Sequence, residues 1–326
     1  MSNEELKKEL ENKKDLTVAF HNDADGVYSL AMLNSVLDIG NIYSPPKFGA
    51  YMKIPGDVNV NEPDIPVDLA IDLGAPLDKD YEGYVIDHHP HSRGEKKYKL
   101  IHMHVPTGLI IWNLWKDKIP EQKSWYLAGS LTGDGQSELM PIEILEQHPD
   151  LMNSVGSIYQ SYGKFNLYDY PVYMMLSSPV NALCRIGSPA AAFDIVNAAK
   201  EPLDILENRR ALDAKDLVKK EEVRIFKDHK SFYQMGDVIV YPYKSKMKMT
   251  GLIASKIGGN NRKKTIIVVD EERRSLSIRG NLAVLVGYKL NKAGITAGGH
   301  AGFYGGSLKP GQDHRTVIRA LKGIKQ

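Results

Sequence analysis

Three short apolar runs constrain the fold more than any other feature of the chain. They are "LTVAF" at 16–20, "VDLAIDLG" at 67–74 and "GYVIDHH" at 83–89. Each runs into acid: Asp23 and Asp25 follow the first, Asp72 ends the second and Asp87 the third. Apolar runs of this length read as buried strands, while "VYSLAMLNSVL" after the first carries Val27, Leu30, Ala31, Leu33 and Leu37 on roughly one helical face. Strand and helix patterns that alternate in this way favour an open parallel sheet with helices on both faces. Ligands of such sheets bind outside the carboxyl ends of the strands, so the acids are expected to converge on one crevice.

With 326 residues, 42% of them hydrophobic, the chain can bury enough core for two domains. Beyond Pro171 the pattern turns helical, and 201–230 is charge-rich with spaced apolar residues, as expected of a long exposed connecting helix. The expected division is a domain over 1–200, a connecting helix over 201–230 and a smaller α/β domain over 231–326. In the last of these "DVIVYPY", "KTIIVVD" and "SLSIRGN" read as strands, and "MTGLIASKIGG" and "LAVLVGYKL" as helices. No apolar stretch approaches the roughly 18–20 residues that span a bilayer, and the start is charged, so a cytoplasmic protein without membrane contact is expected.

Asp23, Asp25, Asp72 and Asp134, with His21, His88 and His89, would crowd like charges into one cleft, which is unfavourable without a counter-cation. The one cysteine, Cys184, excludes a thiolate cluster, so a metal here must rest on carboxylate and imidazole. That ligand mixture suits Mn²⁺, Fe²⁺ or Zn²⁺ better than Ca²⁺. Two ions about 3.5–4 Å apart and bridged by a carboxylate would favour hydrolysis of a phosphate ester. Singly, Asp25-Gly26 reads as a turn, Asp72 and Asp87 as helix caps, and Asp134 in "TGDG" as a turn residue; jointly they point to metal. His91, His102 and His104 read as surface or structural histidines. The net charge of +2 does not announce a nucleic-acid binder, but residues 241–264 carry seven Lys or Arg and no acid, which reads either as a solvated face or as a phosphate-facing surface.

"HNDADG" at 21–26, the acid in "AIDLG", "VIDHHPHS" and "LTGDG" resemble the four ordered motifs of the DHH phosphoesterases. "SIRG" at 277–280 and "GGHAGFYGG" at 298–306 resemble the Ser-x-Arg and Gly-Gly-His signatures of the associated DHHA1 domain, and "SPVNALCRIG" at 178–187 is similar to a stretch of RecJ-like single-strand exonucleases and their archaeal-type relatives. The resemblance implies a mixed sheet in the smaller domain and two divalent ions, Mn²⁺ preferred, with Mg²⁺ or another divalent ion as alternatives. It implies that Asp23 binds one ion and Asp25 the other, that Asp72 bridges them, and that His88 and Asp134 complete the second site. His21 would ligate or support the first site, Asp87 would orient an imidazole, and His89 would face the phosphate. Asn181, Arg185, Ser277, Arg279 and His300 would hold the terminal nucleotide, with Gly298 and Gly299 offering backbone amides as a phosphate nest.

The activity so implied is exonucleolytic hydrolysis of single-stranded DNA or RNA, with 5′ to 3′ polarity by resemblance. Its partners would be single strands or short oligonucleotides, and replication or repair proteins. Three rivals stand beside it. One is a nano-RNase-like enzyme acting on short oligonucleotides, 3′-phosphoadenosine 5′-phosphate or linear dinucleotides. Another is a non-catalytic replication scaffold on a nuclease fold, against which the intact acids argue. The third, an inorganic pyrophosphatase, would share the metal site but should not need the Ser-x-Arg and Gly-Gly-His signatures.

Overall fold

A computed structural model describes residues 2–44, 67–73, 81–89, 97–154, 170–228, 232–300 and 302–322, with the side chain of His300 outside the description. After helix α1 (Asn3–Glu11) the first sheet is built from β1 (Leu16–Phe20), β2 (Ile39–Tyr43), β3 (Leu69–Ile71), β4 (Tyr84–Asp87) and β5 (Lys99–His102). All pairs are parallel, in the order β2-β1-β3-β4-β5. The chain steps outward from β1 to β2, then returns past β1 to β3, so the crevice beyond the carboxyl ends of β1 and β3 is where a parallel sheet of this kind opens to ligand.

Alternation along the strands separates two apolar layers. Leu16, Val18, Phe20, Leu69, Ile71, Tyr84, Ile86 and Ile101 face the principal core, while Ala19, Ala70 and Val85 face a smaller cluster with Val67, Leu73 and Tyr98. The described helices against this sheet, α1, α2 (Ala24–Leu33), α3 (Thr107–Trp115) and α4 (Tyr126–Gly133), all belong to the principal core. Helix α2 starts three residues earlier than its apolar spacing predicts, and it is buried on every side rather than on one face. The reason is its position, enclosed by the sheet, α3, α4, α7 (Ser177–Arg185) and α8 (Pro189–Ala198). Short helices α5 (Ile142–Gln147) and α6 (Val172–Met175) precede that pair.

The stretch 201–230, expected as one helix, holds two: α9 (Pro202–Glu207) and α10 (Arg209–Asp228). Asn208 separates them, and its side-chain oxygen accepts from the Ala211 amide, so the break is a capped helix start. One face of α10, with Ala211, Ala214, Val218 and Ile225, shares the principal core with Ile239, Tyr241, Ile266 and Val268 of the second sheet.

That sheet contains β6 (Tyr233–Met235), β7 (Val238–Tyr243), β8 (Thr265–Asp270), β9 (Ser275–Arg279), β10 (Thr296–His300) and β11 (Phe303–Ser307), in the order β10-β11-β9-β8-β7-β6. It is mixed, because β7 and β8 pair in parallel and the other neighbours are antiparallel. Helix α11 (Thr250–Asn260) joins α10 on one face; α12 (Ala283–Lys292) and α13 (His314–Ala320) cover the other through Val286, Leu290 and Val317. The glycine-rich tail forms the β10–β11 edge hairpin, to which the sequence reading assigns no strands. Among the described residues no helix is long and apolar enough to cross a membrane.

Candidate metal centre

The spacing of "HNDADG" is explained by how β1 hands over to α2. Asp23 is the N-cap: its Oδ1 accepts from the Gly26 amide at 3.1 Å, leaving Oδ2 to face His21 Nδ1 at 2.7 Å. Asp25 falls in the first turn, where a carboxylate is favoured by the helix dipole. Gly26 is required by close approach, since a Cβ there would lie 2.3 Å from the His21 carbonyl oxygen.

Asp25 is completely buried. Its Oδ1 accepts from Ser130 Oγ at 2.5 Å, Ser29 Oγ at 3.1 Å and the Gly108 amide at 3.1 Å, and its Oδ2 accepts from the Thr107 amide at 2.8 Å. The last two donors are the start of α3, another helix N-terminus turned on an anion. Burial pushes the Asp25 carboxyl up to about 6, with Asp23 adding to the rise and these donors opposing it.

Asp72 follows β3 with φ of 55°, left-handed backbone that costs a non-glycine residue on the order of 1–3 kcal/mol. The strain lies at the residue on which the cluster centres. Its Oδ2 is 3.4 Å from His21 Nδ1, while its Oδ1 is 3.2 Å from His88 Nε2. His88 Nε2 is also 3.2 Å from Asp134 Oδ2 and 3.9 Å from Asp25 Oδ2. Asp134 arrives from the C-cap of α4, held there because Gly133 allows α4 to meet α2: a Cβ at Gly133 would lie 2.9 Å from the Asp25 amide nitrogen.

Three overlapping sets of ligand atoms therefore meet around Asp72: His21 and Asp23 lie with it on one side, Asp25, His88 and Asp134 form the other, and Asp72, His88 and His89 lie between them, with His89 Nδ1 3.5 Å from Asp72 Oδ1. Metal bonds of about 2.1 Å at right or tetrahedral angles separate neighbouring ligand atoms by about 3.0–3.4 Å, and the observed separations of 2.7–3.9 Å bracket that range. Two buried atoms, His88 Nε2 and Asp72 Oδ2, make no hydrogen bond among the described residues, as expected of atoms whose partner is a cation. Burial and then mutual repulsion hold the Asp72 and Asp134 carboxyls well above the usual range. Burial lowers His88 to about 3, leaving it as the neutral imidazole that ligates metal. These residues fit a pair of divalent cations.

Asp87 does not face the cluster. Its Oδ1 accepts from the backbone amide and from Nδ1 of His89, at 2.9 and 2.8 Å. Burial alone would lower the His89 pKa, but Asp87 outweighs it and raises it. His102, read as structural, donates from Nε2 to the His89 carbonyl at 2.9 Å and fixes the same residue; His91 lies outside the described residues.

Other expected contacts are redistributed. Asn181 turns its side-chain oxygen to the Ala24 amide at 3.0 Å, so that oxygen holds the start of α2 and not a nucleotide. Ser277 is only 4% exposed, paired between Val268 and Gly305 inside the sheet. The expected nest at Gly298 and Gly299 is an antiparallel ladder against Gly305 and Tyr304. Arg279 lies on the sheet face covered by α11, and burial lowers its pKa to about 10. The basic stretch is divided as well: Lys256 is bonded to Glu222, Lys264 to Asp237, and Lys248 turns to the acid cluster.

Lys248 is the residue whose role sequence reasoning misses. From the segment before α11, its Nζ donates to the Asn22 carbonyl at 2.9 Å and lies 3.4 Å from His21 Nε2, while its amide donates to the Arg185 carbonyl. Burial lowers the pKa of both Lys248 and Arg185, and the charge of Asp23 opposes that in both, so two cations attend the first ligand set. Ser130 and Thr107 are equally hidden, since they bond Asp25 from 105 and 82 residues away in sequence.

The sequence matches no protein-family model and no curated protein. Solved structures match in fold. An exonuclease RecJ bound to manganese is similar over 97% of this chain and 92% of that one, with a TM-score of 0.62 at 16% identity. RecJ of Thermus thermophilus in complex with Mn²⁺ gives 0.64 at 16% identity over 97% of this chain and 53% of that one, so the chain spans about half the length of that RecJ. The DHH domain of a protein assigned to a family of ribosomal proteins gives 0.58 at 12% identity, covering 97% of this chain and 87% of that one. The chain has the DHH fold that these proteins share.

Proposed function

We propose that the protein is a metal-dependent phosphodiesterase of the DHH superfamily that shortens single-stranded nucleic acid from an end, in a cytoplasmic setting. The observation that carries this reading is the division of the two Asp72 oxygens between two ligand sets, His21 with Asp23 and His88 with Asp134 and Asp25. A divalent cation in each set, Mn²⁺ being the first choice, would supply Lewis acidity at the phosphoryl oxygen and lower the pKa of an attacking water. We assign metal binding to 1–200, linkage to 201–230 and substrate holding to 231–326.

The protein's own groups do the rest. Ser29, Ser130 and the α3 amides fix Asp25 so that its Oδ2 alone faces His88. His89, held at Nδ1 by Asp87, which raises its pKa, would supply a proton from Nε2 to the phosphate or to the leaving oxygen. Lys248 and Arg185 place positive charge where the phosphate arrives, and Arg279 offers a further guanidinium from the second sheet.

The test is a product ladder from end-labelled single-stranded DNA and RNA of several lengths, with Mn²⁺ and Mg²⁺ compared. Stepwise loss of single nucleotides from long strands supports the proposal. Hydrolysis confined to dinucleotides or 3′-phosphoadenosine 5′-phosphate replaces the substrate with that of the nano-RNase-like rival, and no hydrolysis of any diester returns the fold to the scaffold reading.

A further inference from the structure

The chain between β7 and α11 is irregular, yet it is held residue by residue. The Lys244 carbonyl accepts from Arg224 Nη2 at 2.8 Å, and the Ser245 amide donates to Asp270 Oδ1 at 3.3 Å. The Lys246 carbonyl accepts from Arg273 Nη1 at 3.0 Å. The Met247 amide donates to Ser245 Oγ at 3.0 Å, and the Lys248 amide to the Arg185 carbonyl at 3.0 Å. A connection of this kind ordinarily leaves such backbone groups to water and moves more than the elements it joins. Here successive residues tied one by one make a fixed arm, and the arm ends at Lys248, whose ammonium meets the Asn22 carbonyl and His21 beside the metal ligands.

Ser245 is the residue on which the arm turns. It is 1% exposed, and its hydroxyl works in both directions: it donates to Glu221 Oε1 of α10 at 2.6 Å and accepts from the Met247 amide. The first bond ties the arm to α10, and the second closes a turn three residues before Lys248. Asp270 supports the other wall, since its Oδ1 also accepts from the amides of Glu272 and Arg273, and Arg273 carries the guanidinium that holds Lys246. Among the described residues the hydrogen bonds of Ser245 go to Glu221, Met247 and Asp270, none of which is a candidate metal ligand. A lysine side chain is long and rotates freely, so holding its ammonium at one point costs less entropy where the backbone beneath it is already placed.

We propose that Ser245, with its acceptor Glu221, is a positioning residue for Lys248. The hydroxyl sets where the ammonium stands against the loop of His21 and Asp23, and so sets both the charge felt by the first ligand set and the donor offered to phosphate. The inference rests on the reading of Lys248 under the proposed function and extends it to residues outside the ligand sets.

The test is a double-mutant cycle on the full chain: wild type, Ser245→Ala, Lys248→Ala and the double variant, with circular dichroism confirming the fold of each. Two quantities are read, kcat/KM on a short single strand and the first-site affinity for Mn²⁺ by calorimetry. Ser245→Ala is expected to lower kcat/KM about 2- to 10-fold, the scale of one net hydrogen bond, and to raise the Mn²⁺ affinity as Lys248→Ala does. In the Lys248→Ala background the same substitution should change neither quantity by more than about twofold, because residues that act through one another do not add. Equal effects of Ser245→Ala in both backgrounds, or no effect in the wild type, overturn the inference, since a serine that only braces the fold is indifferent to Lys248. Glu221→Ala and Glu221→Gln repeat the cycle from α10 and decide it should Ser245→Ala not fold: Gln keeps an acceptor and should retain the wild-type values, whereas Ala should behave as Ser245→Ala does. If the wild type hydrolyses no nucleic acid, the proposed function fails, while the Mn²⁺ cycle still decides the positioning role: a rise that depends on Lys248 upholds it, and independent effects or none overturn it.

Discussion

Lys248 donates from its ammonium to the carbonyl oxygen of Asn22 at 2.9 Å, so a side chain from beyond α10 reaches the loop between β1 and α2 that carries His21 and Asp23. This contact gives opposite expectations for metal and for substrate. Replacing Lys248 with Ala removes a positive charge beside Asp23, and the first-site affinity for Mn²⁺ should rise in a calorimetric titration. A charged hydrogen bond to phosphate is lost at the same time, worth about 1.5–3 kcal/mol, so kcat/KM should fall by roughly 10- to 150-fold. A fall in both quantities would mean that Lys248 only braces the fold.

Asp87 acts through His89, whose proton it holds above the ordinary imidazole value. The acid form of His89 is full at low pH and is lost as pH rises through its pKa, so the rate should fall on the alkaline side. Asp87→Asn keeps an acceptor in place but removes the charge, and the alkaline limb of its pH–rate profile should move to lower pH, with about a 10- to 100-fold lower rate at pH 8. A limb that does not move would show that His89 is not the proton source.

The carboxylates that gather metal should weaken the metal-free fold. Asp134 has a folded pKa above its unfolded value of about 3.9, so the metal-free folded state holds a proton that the unfolded chain releases. The stability from that proton is complete below about pH 4 and is lost as pH rises through the folded value. Asp134→Asn should therefore melt higher than wild type without metal at pH 7.5, by about 2 °C per kcal/mol relieved, and the gap should close towards pH 4. Added Mn²⁺ should stabilise the wild type more than the variant, in which the set of His21, Asp23 and Asp72 stays intact but that of Asp25, His88 and Asp134 is broken. Differential scanning calorimetry across pH decides it.

Much of this is legible in the sequence because acids at strand ends have few bland explanations when they occur together. "LTVAF", "AIDLG" and "VIDHH" mark β1, β3 and β4, and a parallel sheet brings Asp23, Asp25, Asp72 and His88 to one crevice. The supporting atoms are not legible, because Thr107, Ser130 and Lys248 come from 35 to 176 residues beyond Asp72 and have no distinctive local pattern. Position alone makes them matter. Asn181 and Ser277 show the converse: polar residues in distinctive motifs whose places in the fold turn them to the Ala24 amide and to the sheet interior. Helix α2 reads as one-faced in sequence because burial by four other helices leaves the same apolar spacing as burial by one.

The central claim is that the two oxygens of Asp72 join two cation sites into one hydrolytic centre. The most direct measurement is Mn²⁺ stoichiometry together with turnover of single-stranded nucleic acid in Asp72→Asn, with circular dichroism to confirm the fold. The substitution removes one bridging charge with almost no change in volume. The account predicts two ions bound to the wild type, fewer to the variant, and a loss of turnover of at least about 10³-fold, the scale of losing a principal electrostatic group in the transition state. Near-wild-type turnover by a folded Asp72→Asn at saturating Mn²⁺ would contradict it.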